Sequence, residues 1–286
     1  MTPRAALVAL HAAVALFGFA GLFGKWLAWD PAAIVFGRTV VAAAVLAPVV
    51  LWRRAERGAP SWALAGNGLI LAVHWVAFFA AIQLSTVAIG LLGFASFPLF
   101  VIVLERWLLG TRWRTPEVTT ALLVVAGLAM LVPTFNLADR SVQGLAWGAL
   151  SGFTFAWLTV RNRAMSADRR PIAIALWQNL FAALCLVFVV FLPGGPAIEL
   201  TPATLGLILL LGAVCTALAH VLFIASLSRL TAHTASVVTG LESVYGIALA
   251  ALLLHEIPDA RTCLGAALLV GAAIAASQRA ARTPIP

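Results

Sequence analysis

Charged side chains are scarce in this chain of 286 residues, because Asp, Glu, Lys and Arg together make up only 10% of it. Soluble domains carry about 25% charged residues. Hydrophobic residues account for 63% of the sequence, and the mean hydropathy is +1.05. A water-soluble fold of this length could not bury so much apolar surface. The composition therefore excludes a soluble protein and indicates an integral membrane protein.

The sequence also lacks the residue patterns of metal centres and hydrolytic sites. Its three cysteines, Cys185, Cys215 and Cys263, lie singly inside apolar runs, so we interpret them as small buried hydrophobes. There is no His-Glu-x-x-His run, no pair of Asp residues and no Ser/His arrangement. We therefore expect no enzyme activity, no metal and no cofactor. The net charge of +8 is spread in short groups between apolar runs, a pattern of membrane topology and not of nucleic-acid binding.

Long hydrophobic runs fill most of the chain. A membrane-spanning helix needs roughly 20 apolar residues, and runs of this kind predict ten segments, near 5–27, 31–52, 62–84, 87–109, 116–134, 143–161, 170–192, 203–228, 232–254 and 260–279. The first run is longer than the roughly 7–15 apolar residues of a signal peptide, so we interpret it as the first spanning helix. We predict an all-α membrane protein with ten transmembrane helices.

Basic residues predict the orientation of these segments. With the N-terminus in the cytoplasm, fourteen of the 18 Lys and Arg residues lie on the cytoplasmic side. Only Lys25, Arg140 and Arg261 lie on the outer side, and Arg38 lies within a segment. Cytoplasmic loops carry an excess of Lys and Arg, so both termini are expected to be cytoplasmic.

Two stretches of the chain resemble each other, from His74 to Arg114 and from His220 to Arg261. Each begins at a histidine inside an apolar run, makes a short turn with Ser or Thr, and runs apolar to a polar end. We therefore predict two five-helix repeats, residues 1–137 and 138–286, within one membrane domain. An odd number of helices inverts the second repeat relative to the first. Inverted repeats are typical of secondary transporters with a substrate site near the midplane.

Two histidines are candidates for function, because ionisable groups inside a span are costly. His74 lies near the middle of segment three, with Phe78 on the same face one turn later. His220 has the corresponding place in the second repeat, with Phe223 on its face. Each histidine is interpreted either as a substrate contact or as a neutral group hydrogen-bonded to a neighbouring helix. Trp75 points about 100° away from His74, which predicts a lipid-facing ring.

Glu242 is the sharpest candidate, because a carboxylate in mid-span has to be protonated, paired or in contact with water. The same face of segment nine also carries Thr239, Ser243 and Gly246. Substrate contact, proton coupling and structural pairing are all open roles for Glu242. Its counterpart in the first repeat is Phe97 or Ser96, depending on the alignment. The site is therefore expected to hold a carboxyl in one repeat only.

Several further positions have two interpretations. Arg38 lies about two turns into segment two, where it snorkels outward, binds a substrate carboxylate or pairs with a helix end. Trp157 shares a face with polar Thr154 and is a candidate for a cavity. Gly90 and Gly93 form a small-residue face that permits close helix packing. Pro98 removes a backbone hydrogen bond, so segment four has either a packing face or a hinge near the midplane.

Short motifs along nearly the whole chain resemble one transporter family. They are Leu16-Phe17-Gly18, Phe36-Gly37-Arg38, Phe97-Pro98-Leu99-Phe100 with Leu108-Leu109-Gly110-Thr111-Arg112, and Glu242-Ser243-Val244-Tyr245 with Leu254-His255-Glu256. On these motifs the chain is identified as a member of the drug/metabolite transporter superfamily, of the ten-helix EamA type. It departs from the family pattern where Phe97 and Thr111 replace carboxylates, Ser243 replaces Pro and His255 replaces Gly.

The resemblance implies a transporter, and the histidines and rings of the interior resemble the aromatic amino-acid exporters of that superfamily. We expect a monomeric, multi-pass protein of the cell inner membrane, with the lipid bilayer and a small-molecule substrate as partners. It would export amino acids or related metabolites, aromatic or apolar ones favoured, by alternating access. The predicted substrate site comprises His74, Phe78, Phe97, Trp157, His220, Phe223, Thr239, Glu242 and Tyr245, with Arg38, Gly90, Gly93 and Pro98 in structural or gating roles. The alternative is export of cationic drugs or quaternary ammonium compounds, with Glu242 as partner of the cation.

Overall fold

The computed structural model describes residues 1–52, 59–110 and 139–261, with separate positions between 115 and 126 and between 263 and 271. The regular structure of these residues is helical. The helices are α1 (Pro3–Trp26), α2 (Pro31–Trp52), α3 (Trp62–Leu84), α4 (Val87–Phe94), α5 (Phe97–Leu109), α6 (Arg140–Met165), α7 (Pro171–Phe191), α8 (Pro202–Gly212), α9 (Ala219–Leu227), α10 (Ala232–Thr239) and α11 (Leu241–Leu253). A π-helical turn, Ala213–Leu218, joins α8 to α9.

Seven stretches of the described chain are long and apolar enough to cross a membrane. They coincide with predicted segments one to four and seven to nine. Helix α6 covers the sixth predicted segment but is more polar, because it carries Gln143, Arg161 and Arg163. Predicted segments 116–134 and 260–279 fall largely outside the described residues. Ten spanning helices and the orientation of the termini therefore stay predictions.

Helix starts follow local rules that the sequence displays. Pro3, Pro31, Pro171 and Pro202 open α1, α2, α7 and α8, where a missing N–H costs no hydrogen bond. Side-chain oxygens accept from free N–H groups in the first turn of the following helix, and they belong to Thr2, Ser61, Thr86, Asp139, Thr201 and Thr231. These prolines and caps explain why the apolar runs begin as helices where they do.

Two spans contain a tight turn near their middle. Between α4 and α5, Ala95 and Ser96 donate N–H bonds to carbonyls three residues back, at 3.1 and 3.2 Å. Between α10 and α11, Gly240 donates in the same way to Val237 at 3.1 Å. Pro98 stands in the first turn of α5, where its missing N–H fits the interruption. The two turns occupy equivalent places in the two predicted repeats.

Helix packing in the described chain has a paired pattern. Helix α3 packs against α6 and α7, and the span formed by α8 and α9 packs against α1 and α2. Helix α2 packs against α7, the helix at the same place in the second predicted repeat. Each half of the chain thus packs mainly on the other half.

Glycines let α4 approach α6 closely. A Cβ at position 148 would lie 2.6 Å from the carbonyl oxygen of Gly90 and 2.9 Å from the Cα of Gly93. A Cβ at position 93 would lie 2.6 Å from the carbonyl oxygen of Leu145. Gly90 and Gly93 therefore act in close backbone packing, which was one of the two interpretations of this face.

Side chains tie the helix ends together at both ends of the bundle. At one end, Lys25 donates to the carbonyl of Ser85 at 2.8 Å, and Glu256 accepts from the N–H of Val87 at 3.0 Å. At the other end, Arg163 donates to the carbonyls of Leu227 and Leu230. In each of these contacts, both partners lie on the same side of the membrane in the ten-segment prediction.

Candidate functional site

A small cavity lies in the middle of the bundle, where helices from both predicted repeats meet. It is lined by Phe17, Ala20, Arg38, His74, Trp75, Phe78, Phe94, Phe155, His220 and Glu242. The enclosed space is about 20 Å³, which is enough for a single water molecule. The walls are mostly aromatic, and every ionisable group among them is buried.

Arg38 reaches this cavity from α2 and is held by the π-helical turn. Its Nε donates to Oγ1 of Thr216 at 2.8 Å, and its Nη2 donates to the carbonyl of Cys215 at 3.3 Å. The guanidinium lies 4.0 Å above the ring of Trp75, a favourable cation–π geometry. The π turn alters the carbonyl directions of an otherwise regular span, and such turns are frequent at functional sites. Arg38 is therefore fixed in place and does not snorkel.

Glu242 reaches the same cavity from the first turn of α11, directly after the turn at Gly240. Its side chain is 3% exposed. It interacts electrostatically with Arg38, but the two form no direct ion pair in the described part of the chain. No described side chain is hydrogen-bonded to its carboxyl. A buried charge is costly when it lacks a close partner, and Arg38 and Glu242 are two buried ionisable groups of opposite type that make no direct contact with each other.

His74 lies between aromatic rings and a polar spot on α6. Its Nδ1 is 2.9 Å from both the carbonyl oxygen and the Oγ of Ser151. Its ring stacks on Phe155 at a centroid distance of 4.7 Å and tilts toward Phe94 at 5.8 Å. The hydrogen bond and the ring contacts fix the imidazole as part of the cavity wall.

His220 lies on α9 beside the ring of Trp75, at a centroid distance of 5.8 Å. Its Nδ1 is 3.2 Å from Nδ2 of Asn179 on α7, and that amide also donates to the carbonyl of Ala175 at 2.8 Å. The Nε2 of His220 and the Oδ1 of Asn179 are buried without a hydrogen-bond partner. His220 thus presents an unused polar atom in the interior.

The predicted site residues fall into three groups. His74, Phe78, His220, Glu242 and Arg38 line the cavity. Phe97 and Phe223 form a second layer, with their rings 5.1 and 5.0 Å from that of Phe155. Trp157, Thr239 and Tyr245 lie outside the lining, and Oγ1 of Thr239 bonds to the carbonyl of Ala235 in its own helix at 2.8 Å. The roles of all these residues as substrate contacts stay predictions.

The lipid-facing prediction for Trp75 is wrong, because its side chain is 5% exposed and lines the cavity. Helix α3 packs against α1, α2, α6 and α7, so more than one of its faces is buried. Sequence reasoning also missed Phe17, Phe94 and Phe155 in the lining. Phe17 lies within one of the quoted motifs, but Phe94 and Phe155 look like ordinary apolar residues of their spans. Their roles depend on which helices become neighbours.

Comparison with known proteins bears directly on this arrangement. A family model described as the EamA-like transporter family matches residues 4–132 and again residues 142–278. The chain is 30% identical over 257 residues to the pseudopaline exporter CntI of Pseudomonas aeruginosa (strain UCBPP-PA14), covering 87% of each protein. It is 25% identical over 226 residues to the uncharacterized transporter YwfM of Bacillus subtilis (strain 168), covering 78% of this chain and 76% of that protein.

A solved crystal structure of another protein has the same fold. It superposes with a TM-score of 0.74 over 99% of each chain, at 21% sequence identity. At that identity the likeness concerns the fold alone. The two matches of one family model fall within residues 1–137 and 138–286, the predicted halves of the chain.

Proposed function

Because the chain belongs to the EamA-like transporter family, we propose that it exports amino acids or closely related zwitterions, with aromatic or apolar side chains favoured. The family and the exporter among its relatives support a membrane transporter of small metabolites. The substrate class rests on the cavity. The observation that carries it is that a buried basic residue, Arg38, and a buried acidic residue, Glu242, line one ring-lined space.

A zwitterionic substrate matches both charges. Its carboxylate would accept from the guanidinium of Arg38, and its ammonium group would pair with the carboxyl of Glu242. Charge-assisted hydrogen bonds of this kind are about twice as strong as neutral ones. The rings of Phe17, Phe78 and Phe155 would cover an apolar side chain. An amino acid therefore compensates both buried charges and leaves no charge of its own unpaired.

The same geometry argues against the cationic-drug alternative. A quaternary ammonium compound would gain the carboxyl of Glu242 but would meet the like charge of Arg38 in the same small cavity. It also carries no group that uses the guanidinium as a donor. We therefore retain the amino-acid proposal.

Transport through this site would require the bundle to open at one end at a time. Ligand pockets for small molecules have volumes of about 300–1,000 Å³, whereas this cavity measures about 20 Å³. Lys25 and Glu256 hydrogen-bond to residues of neighbouring helices at one end of the bundle, and Arg163 does so at the other. A substrate enters only after one set has separated, which is the requirement of alternating access.

Reconstitution into proteoliposomes tests the proposal. We expect uptake of labelled phenylalanine above that of empty vesicles, and weaker uptake of labelled threonine. Unlabelled phenylalanine should compete, whereas tetraethylammonium should not. Uptake of neither amino acid above empty vesicles, or competition by tetraethylammonium alone, would refute the amino-acid assignment.

A further inference from the structure

Two buried polar atoms lack hydrogen-bond partners, one on His220, which lines the cavity, and one on Asn179, which is hydrogen-bonded to His220. Nε2 of His220 and Oδ1 of Asn179 are fully buried with no hydrogen bond, while the two side chains are bonded to each other at 3.2 Å. Buried side-chain polar atoms are normally satisfied, so each exception requires a reason. A donor or acceptor kept unpaired beside a transport cavity is available to a ligand.

The hydrogen bonds of Asn179 fix which nitrogen of His220 carries the proton. The Asn179 amide lies 2.8 Å from the carbonyl oxygen of Ala175, so the atom facing that oxygen is the nitrogen, since two oxygens would repel. The second hydrogen of this nitrogen points to Nδ1 of His220, which must accept it. A neutral imidazole that accepts at Nδ1 carries its hydrogen on Nε2. The unpartnered atom of His220 is therefore a donor.

His74 differs from His220 in this respect. Its Nδ1 lies 2.9 Å from both an acceptor and a hydroxyl of Ser151, so either tautomer satisfies that contact. In His220 the partner is an amide nitrogen, which permits one tautomer only. The second predicted repeat thus holds a fixed N–H donor where the first holds an adaptable histidine.

His220 and Arg38 both lie beside the ring of Trp75. The guanidinium of Arg38 lies 4.0 Å above the ring of Trp75, and the imidazole of His220 lies 5.8 Å from that ring. Both residues line the cavity. Two N–H donors that line one cavity match an acceptor with two oxygens, such as a carboxylate.

We propose that Nε2–H of His220 donates to the carboxylate of the transported substrate, together with Arg38, and that Asn179 is a positioning residue that holds His220 in the donor tautomer. This inference rests on the proposed function and specifies how the substrate is oriented: carboxylate at Arg38 and His220, ammonium at Glu242. Asn179 acts through His220.

Three probes separate this role from a general effect on binding. They are phenylalanine, 3-phenylpropionate, which keeps the carboxylate without the amine, and phenethylamine, which keeps the amine without the carboxylate. Binding is measured by titration calorimetry on purified full-length protein. In His220→Leu, affinity for both carboxylate compounds should fall roughly tenfold or more, with phenethylamine unchanged. His220→Gln keeps an N–H donor and should recover most of that loss.

The matched test of Asn179 uses a spectroscopic readout. In ¹⁵N-histidine NMR spectra, His220 of the natural protein should show the proton on Nε2. In Asn179→Asp the new carboxylate accepts from Nδ1, so the proton should move to Nδ1 and carboxylate affinity should fall as in His220→Leu. A natural protein with the proton on Nδ1, or an equal loss for phenethylamine in the His220 variants, overturns the inference while leaving amino-acid transport intact. Binding of 3-phenylpropionate but not of phenylalanine supports the inference and refutes the zwitterion. Binding of neither refutes both.

Discussion

The two mid-span turns of the molecule have similar backbone hydrogen bonds, but the side chains that follow them differ in polarity. After the turn at Ala95 and Ser96 comes Phe97, fully buried with its ring stacked 5.6 Å from that of Phe94. After the turn at Gly240 comes Glu242, whose carboxyl faces the cavity. The first turn is thus followed by a buried apolar side chain, and the second is followed by an ionisable one.

Helices α2 and α7 also differ in one ionisable residue, but here the residue is basic and lies in the first half of the chain. Arg38 follows the proline that opens α2 by seven positions (38 − 31), and Gln178 follows the proline that opens α7 by seven positions (178 − 171). Gln178 is neutral and bonds to Asn162 at 2.5 Å. Each half thus contributes one charged residue and one neutral counterpart. The difference between the copies places one basic and one acidic residue in the same cavity, which a symmetric site could not do.

The largest loss of stability is expected when a carboxyl is introduced after the turn in the first half of the chain. Phe97→Glu would bury a carboxyl between the rings of Phe94 and Phe155, and an uncompensated buried charge costs several kcal/mol. We expect loss of monodisperse protein in size-exclusion chromatography. Phe97→Leu is the control and should remain folded. A well-behaved Phe97→Glu protein would show that the two turns are chemically interchangeable.

Replacing Glu242 by a neutral residue should leave the fold intact and impair transport. Glu242→Gln keeps the shape of the side chain but removes the partner of the substrate ammonium. We expect the initial rate of phenylalanine uptake to fall roughly tenfold or more, with the melting temperature close to that of the natural protein. Uptake at the natural rate would remove Glu242 from the substrate site.

Crowding the turn that carries Glu242 should destabilise the protein moderately. A Cβ at position 18 would lie 2.9 Å from the carbonyl oxygen of Glu242 and 2.9 Å from the Cβ of Tyr245. Gly18→Ala should therefore cost about 1–3 kcal/mol. Gly206→Ala is the matched control, since nothing lies within 4 Å of a Cβ there. Equal melting temperatures for the two variants would show that α1 is not packed against α11 in this way.

The smallest expected effect is the loss of stability when the serine near either turn is replaced by alanine. Ser243 donates to the carbonyl of Leu91 in the other half of the chain at 2.8 Å, whereas Ser96 donates to Gly93 in its own span at 2.8 Å. Ser243→Ala should cost about 1 kcal/mol, the usual net value of a buried hydrogen bond. Ser96→Ala should cost less, because its bond joins no separate element. Thermal denaturation of both variants decides the order, and a larger loss for Ser96→Ala would contradict this account.

The positions of the spans and the candidate ionisable residues can be predicted from the sequence for the same physical reason. Apolar runs with prolines at Pro31, Pro171 and Pro202 locate helices, because a lipid-embedded backbone must bond to itself. Arg38, His74 and Glu242 stand out, because a polar group in such a run needs a partner.

The partners themselves are not local, so the sequence does not reveal them. The π turn Ala213–Leu218, which holds Arg38, has no proline or glycine within it. Trp75 faces Arg38 because α3 is enclosed by other helices. These features follow from tertiary packing, which decides both the turn type and the buried face.

The central claim is that the difference between the two halves forms a site for a zwitterion, with Glu242 as the partner of the amine. The most direct measurement is the affinity of the natural protein and of Glu242→Gln for phenylalanine and for 3-phenylpropionate, by titration calorimetry. The account predicts that the substitution weakens phenylalanine binding roughly tenfold or more and does not weaken the binding of 3-phenylpropionate. An equal change for both compounds, or no change for phenylalanine, would contradict it.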